Sequence, residues 1–275
     1  MASARLSQHG SAEAHAFSRL PVALLLLLAR PAESQAAGDG VYWHIDPGVK
    51  TCSMVIDPSL SQDQWHTFVG QAGALVDFKS LASAEPLGQR QFAFGIVYTS
   101  TPVDQHDPAW INTFTHPDAS CPLGDAVTFP SLRAAYGMTR TMDVVGFWSM
   151  APEANYGFAG GAFQYAFLRE SEKRPAAAVS ASFTSLTGVP DFNFNVFTVG
   201  ISASKQIRTL RPYLGVKQSV AVGKETTSKV DLATESVPIT HGIFGVTWSV
   251  WKLGVAAEYD IATVNTLALQ IGFHP

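Results

Sequence analysis

The chain has 275 residues, of which 15% are charged and 47% hydrophobic, and its formal net charge is −4. A soluble domain usually carries about 25% charged residues, so this surface is short of ions, and the lack of a basic excess argues against a nucleic-acid partner. No apolar run reaches the roughly 18 residues that a membrane-crossing helix needs, which leaves a soluble all-β domain or a barrel whose strands alternate apolar and polar.

The N-terminus comes first. Arg19 precedes the apolar run Leu20 to Ala29, and Ser34-Gln35-Ala36 places small residues two apart just beyond it. A basic start, a short apolar core and a small-x-small site describe a secretory signal peptide over residues 1–36, cleaved after Ala36. Residues 37–90 read as an N-terminal arm. As far as residue 60 it is rich in Gly, Pro and Asp and looks irregular. Over 61–78 the pattern changes. Ser61 and Gln64 can form a capping box, and Trp65, Phe68, Val69, Ala72, Leu75 and Val76 fall on one helical face. The spacing predicts a short amphipathic helix ahead of the barrel, in a position to plug it.

From Gln91 onward the period becomes two. Phe92, Phe94, Ile96 and Tyr98 share one face of the first strand. The alternation is cleaner later. Leu210, Leu214, Val216, Val220 and Val222 oppose Arg211, Tyr213, Gly215, Lys217, Ser219 and Ala221, and Trp251, Leu253, Val255, Ala257, Tyr259 and Ile261 oppose Lys252, Gly254, Ala256, Glu258 and Asp260. The predicted strands are 91–100, 127–138, 142–150, 156–169, 175–187, 195–205, 208–222, 239–250, 251–261 and 264–273. Bulky apolar side chains take one face; glycine, alanine, serine and charge take the other. A soluble cup would show the inverse. The pattern suits a transmembrane barrel of about ten antiparallel, up-and-down strands, with lipid outside and a polar lumen. Long or medium connections such as 101–126, 151–155 and 223–238 alternate with tight ones such as 139–141 and 206–207, except that the last outer loop, near Ile261–Thr263, is short. That places the tight turns in the periplasm and strand one at the periplasmic side. Tyr98, Tyr136, Trp148, Tyr156, Phe167, Trp248, Trp251 and Phe273 sit near strand ends, where the water–lipid boundary favours aromatic rings.

From Pro130 to its end the chain resembles a broad group of poorly characterised, porin-like bacterial outer-membrane β-barrel proteins. The matching pieces are Pro130-Ser131-Leu132, Asp143-Val144-Val145-Gly146, Gly160-Gly161-Ala162-Phe163-Gln164-Tyr165-Ala166, Arg211-Pro212-Tyr213-Leu214-Gly215-Val216 and Leu267-Ala268-Leu269-Gln270-Ile271-Gly272-Phe273. Ala84-Glu85-Pro86-Leu87-Gly88 looks like the same group's segment just ahead of strand one. The last strand looks like the signal read by the barrel-assembly machinery, although His274 and Pro275 follow Phe273. The resemblance implies a barrel in the bacterial outer membrane, with the lipid bilayer and the assembly machinery as partners. It carries no catalytic motif.

The inward faces direct Arg133, Asp143, Arg211, Lys217, Lys252, Glu258 and Asp260 toward the lumen. Buried charges need partners, so these read first as a salt-bridge network filling a narrow bore, and second as a charged path that selects solutes. His44, His106 and His116 each lie near an aspartate, but in loops or in the arm. No HExxH, GxSxG or Cys/His cluster occurs, so no catalytic residue, metal or cofactor is expected. The nearest approach to an active site is His241 with Ser219 or Ser249 on neighbouring strands. Cys52 and Cys121 are the only cysteines and can pair in an oxidising compartment, but only if the arm threads the lumen or the first outer loop folds in. The expected function is therefore a structural role or porin-like passage of small solutes. The alternatives are an enzyme acting on lipid or peptide at the outer rim, or a soluble secreted barrel that binds an apolar ligand.

Overall fold

The computed structural model describes residues 54–113, 126–150 and 156–273. The expected signal peptide, Cys52 and Cys121 lie outside them. Period-two alternation becomes ten strands: β1 (Phe92–Pro102), β2 (Ala126–Gly137), β3 (Met142–Met150), β4 (Gly157–Leu168), β5 (Ala176–Thr187), β6 (Phe192–Ser204), β7 (Leu210–Glu225), β8 (Glu235–Val250), β9 (Leu253–Ile261) and β10 (Thr266–Phe273). Each strand pairs antiparallel with its sequence neighbours, and β1 closes the ring on β10. The closing register matches Phe94 with Phe273 and Ser100 with Leu267. Closure leaves no open edge for another chain to pair with.

The outer wall is apolar around the ring. Phe94, Leu132, Phe197, Val199, Leu214 and Phe244 are each at least half exposed. In water this would be an apolar patch far larger than the few hundred Å² that soluble monomers show. Against hydrocarbon it carries no penalty, and every strand backbone is paired, as a membrane requires. Tyr98, Tyr136, Trp148, Phe167 and Trp248 join this wall, and Trp251 projects from the β8–β9 turn with 89% exposure. Tyr156 does not. It is buried at 2% exposure against Phe129, because it lies ahead of β4 on the inner side.

Among the described residues two helices accompany the barrel: α1 (Gln62–Val76) and the single turn α2 (Pro108–Ile111). The capping box forms at Ser61 and Gln64, and the buried face of α1 contains the apolar residues read from the sequence. That face has no sheet outside the ring to cover it. It packs on the inner faces of β6, β7 and β8, so the helix lies in the lumen.

Candidate functional site

The lumen is occupied from end to end by residues 54–90 of the same chain. At the mouth with the long loops, the Val55 N–H donates to the Thr113 carbonyl at 3.0 Å and the Ile56 N–H to Asp191 at 2.9 Å. Helix α1 then runs inward. Trp65 stacks on Phe68 with centroids 5.7 Å apart and meets Phe192 edge-on at 5.4 Å. Phe68 also meets Trp110 of α2 at 5.2 Å, so this turn of the first long connection packs on α1. Full burial of one such side chain is worth about 1.5–3 kcal/mol, which makes this apolar cluster a firm anchor. The wall accommodates the helix by omitting side chains: a Cβ on Gly223 would lie 2.5 Å from Val69 Cγ2.

This half of the lumen corrects the expectation that inward faces carry only small and polar groups. Phe129, Phe158, Phe192, Phe194, Val196 and Ile239 point inward and are buried. They do so where the apolar face of α1 needs partners. Beginning the sixth strand at residue 195 concealed Phe192 and Phe194, although both follow the same alternation.

Below the helix the lining becomes ionic. Asp77, at the end of α1, accepts from Thr198 Oγ1 at 2.5 Å and from Lys217 Nζ at 2.5 Å. Lys217 also reaches Asp260 Oδ2 at 3.1 Å, and Lys79 reaches the same oxygen at 2.8 Å. Asp260 Oδ1 faces His241 Nδ1 at 2.9 Å, and His241 Nε2 faces Ser219 Oγ at 2.8 Å. Glu258 accepts from the Leu81 N–H at 2.9 Å and the Tyr213 hydroxyl at 2.8 Å. Arg133 donates to the Ser80 carbonyl at 2.7 Å, and Asp143 accepts from the Leu87 N–H at 2.9 Å. Asp77, Lys217, His241, Glu258 and Asp260 are each at most 5% exposed. Burial alone would raise the Asp77 carboxyl, but Lys217 and Lys79 outweigh it and hold the group below its ordinary value. The ligand-type atoms of Asp77, His241 and Asp260 lie within 4.8 Å of one another. Two ammonium groups already neutralise that trio, so the donor set is matched to lysine rather than to a metal ion.

Of the seven charged residues read as lumen-facing, Arg133, Asp143, Lys217, Glu258 and Asp260 converge on the threaded segment. Arg211 lies nearer the turn end, with Nε 3.5 Å from Glu170 and its side chain 28% exposed. Lys252 is not in the lumen. It occupies the β8–β9 turn and is exposed, because β9 begins at Leu253 and the alternation does not extend into the turn. His106 is exposed in a turn with its N–H on Asp104, and His44 and His116 lie outside the described residues. Ser249 is exposed toward the turn end of β8, away from His241. Sequence reasoning missed Asp77 and Lys79. The available signal was a pair of charges directly after an apolar helix face, which must follow that face into the lumen.

At the turn end the segment leaves room. A cavity of about 490 Å³ lies between residues 78–87 and the wall, lined by Arg133, Asp143, Gln164 and Gln270 among others and reaching Arg208 in the β6–β7 turn. It is large and polar enough to hold water.

No protein-family model and no curated protein matches the chain. Solved structures do. Ail, the attachment invasion locus protein of Yersinia pestis, is 13% identical, with 67% of this chain and 98% of that one covered at a TM-score of 0.32. Neisserial surface protein A is 11% identical, covering 66% and 94% at 0.27. The outer membrane protein Omp33 of Acinetobacter baumannii is 10% identical, covering 67% and 99% at 0.30.

Proposed function

We propose that this protein is a bacterial outer-membrane barrel that is closed at rest by its own N-terminal arm and passes small polar solutes only when that arm moves. The carrying observation is the row of buried and half-buried bonds between residues 77–87 and inward side chains of β2, β3, β6, β7 and β9. Asp77, Lys79, Lys217 and Asp260 balance in charge within that row. An open pore does not spend buried ion pairs on its own filler, since each one costs desolvation that only a partner offsets. The outer-membrane location rests on the apolar wall, on the two longest connections, 103–125 and 226–234, lying at the same end of the barrel and on the export pattern of residues 1–36. In that setting β10, ending at Phe273, is the strand offered to the assembly machinery. Planar-bilayer recordings of the full-length chain test the reading. It expects a closed baseline interrupted by rare openings. A steady open conductance from the unmodified protein would be incompatible with it.

A further inference from the structure

We infer that Ser219, His241 and Asp260 form a nucleophilic triad, sealed beneath helix α1, that acts on carboxylic esters when the helix lifts. Three adjacent strands supply the residues in order. Ser219 is on β7, His241 on β8 and Asp260 on β9, and the spacings of 2.8 Å and 2.9 Å are hydrogen-bonding distances along the whole relay. Asp260, paired with Lys79 and Lys217, accepts a hydrogen bond from His241 Nδ1–H. That fixes the tautomer, turns the Nε2 lone pair to the Ser219 hydroxyl and prepares a base beside a nucleophile.

The Ser219 hydroxyl has one hydrogen to give: the Ile239 carbonyl lies at 3.5 Å and His241 Nε2, the nearer acceptor, at 2.8 Å. Helix α1 packs on the residues that flank Ser219. Gly73 packs on Ala221, the next inward residue of β7, and on Ile239, which pairs with Ser219 across β8; a Cβ there would lie 2.4 Å from Ala221 Cβ and 2.7 Å from Ile239 Cδ1. The seal therefore depends on the absence of one side chain. Toward the loop end from the triad the inner wall is apolar, with Ala221, Ile239, Phe194 and Val196 in one buried cluster. These surroundings suit an ester with an apolar acyl chain.

The step balances without a further reagent. Ser219 Oγ bonds to the acyl carbon and its proton passes to His241 Nε2. The ester C–O bond breaks and the alcohol leaves with that proton. Water then attacks the acyl carbon, His241 takes a proton from it, and Ser219 departs with the proton returned.

The experiment uses full-length protein folded in detergent, with heat-modifiable migration confirming the barrel. The probe is a fluorescent fluorophosphonate, which bonds to the serine oxygen and releases fluoride. Two variants loosen the helix independently: Gly73→Leu wedges it off β7 and β8, and Phe68→Ala removes part of its anchor. The unmodified protein is expected to label slowly, and both variants at least tenfold faster, with the adduct mapped to Ser219. Hydrolysis of p-nitrophenyl butyrate should rise in parallel. Within Gly73→Leu, Ser219→Ala should abolish labelling and His241→Gln should slow it at least 100-fold. No adduct on Ser219 in either loosened variant overturns the inference, as does labelling that His241→Gln leaves unchanged.

Discussion

Replacing Lys217 with methionine is the sharpest perturbation of the closed lumen. Its ammonium bridges Asp77 of the arm and Asp260 of the wall at 2.5 Å and 3.1 Å and also donates to the Phe78 carbonyl. Asp77 would retain Thr198 as a partner but lose the ammonium that neutralises it. Removing one member of such a buried set costs about 3–5 kcal/mol. At roughly 1.4 kcal/mol per tenfold change, the ratio of seated to unseated arm should fall between about 100-fold and a few thousand-fold. Single-channel recording reads this as open probability. The double change Lys217→Met with Asp77→Leu removes both charges and should recover most of the loss, because the coupled term is then absent. If Lys217→Met shifts open probability by less than about threefold, or if the double variant opens as readily as the single one, the arm is not held by this pair.

Three further outcomes follow from the same contacts. Asp77 has a folded pKa below its unfolded value of about 4, so its contribution is complete at neutral pH and is lost as the pH falls through the folded value; openings should be rare at pH 7 and become frequent below about pH 4. Ser61→Ala removes the cap that accepts from the Gln64 N–H and should weaken α1 by about 1 kcal/mol, read as faster amide exchange over residues 62–66 with barrel melting unchanged. Lys252→Ala, in an exposed turn, should leave stability within about 0.5 kcal/mol and conductance unaltered; a clear change in either would return that residue to the lumen.

Much of the barrel was legible because its wall obeys one rule along every strand. Outward positions such as Leu214, Val216 and Phe244 meet hydrocarbon, so the period-two signal is clean. The inner face obeys two rules. Near the turn end it meets polar chain and cavity, and there Arg133, Asp143 and Glu258 were readable. Near the loop end it meets α1, and Phe158, Phe192 and Phe194 become core residues, which their bulk alone does not distinguish from lipid-facing ones. The helix itself was plain from Ser61, Gln64 and the spacing of Trp65, Phe68 and Leu75. Its seat was not, because seating depends on register between β7 and β8, which brings Ala221 and Ile239 against Gly73. Asp77 and Lys79 escaped notice for the same reason: their partners are more than 100 residues away in sequence. The threaded arm places residue 55 beside residue 113 at the loop mouth; Cys52 and Cys121 lie outside the described residues.

The central claim is that the arm descends the bore from the loop mouth to the turn rim. Cysteine labelling with a membrane-impermeant maleimide in intact cells tests it most directly, in a background carrying Cys52→Ser and Cys121→Ser. Ser59→Cys, exposed at the loop mouth, should label at once. Ser83→Cys, 8% exposed beside the cavity, should stay protected, and Arg208→Cys, exposed at the opposite rim, should label only after permeabilisation. Immediate labelling of Ser83→Cys from outside, or protection of Ser59→Cys together with free labelling of Arg208→Cys, would contradict the account.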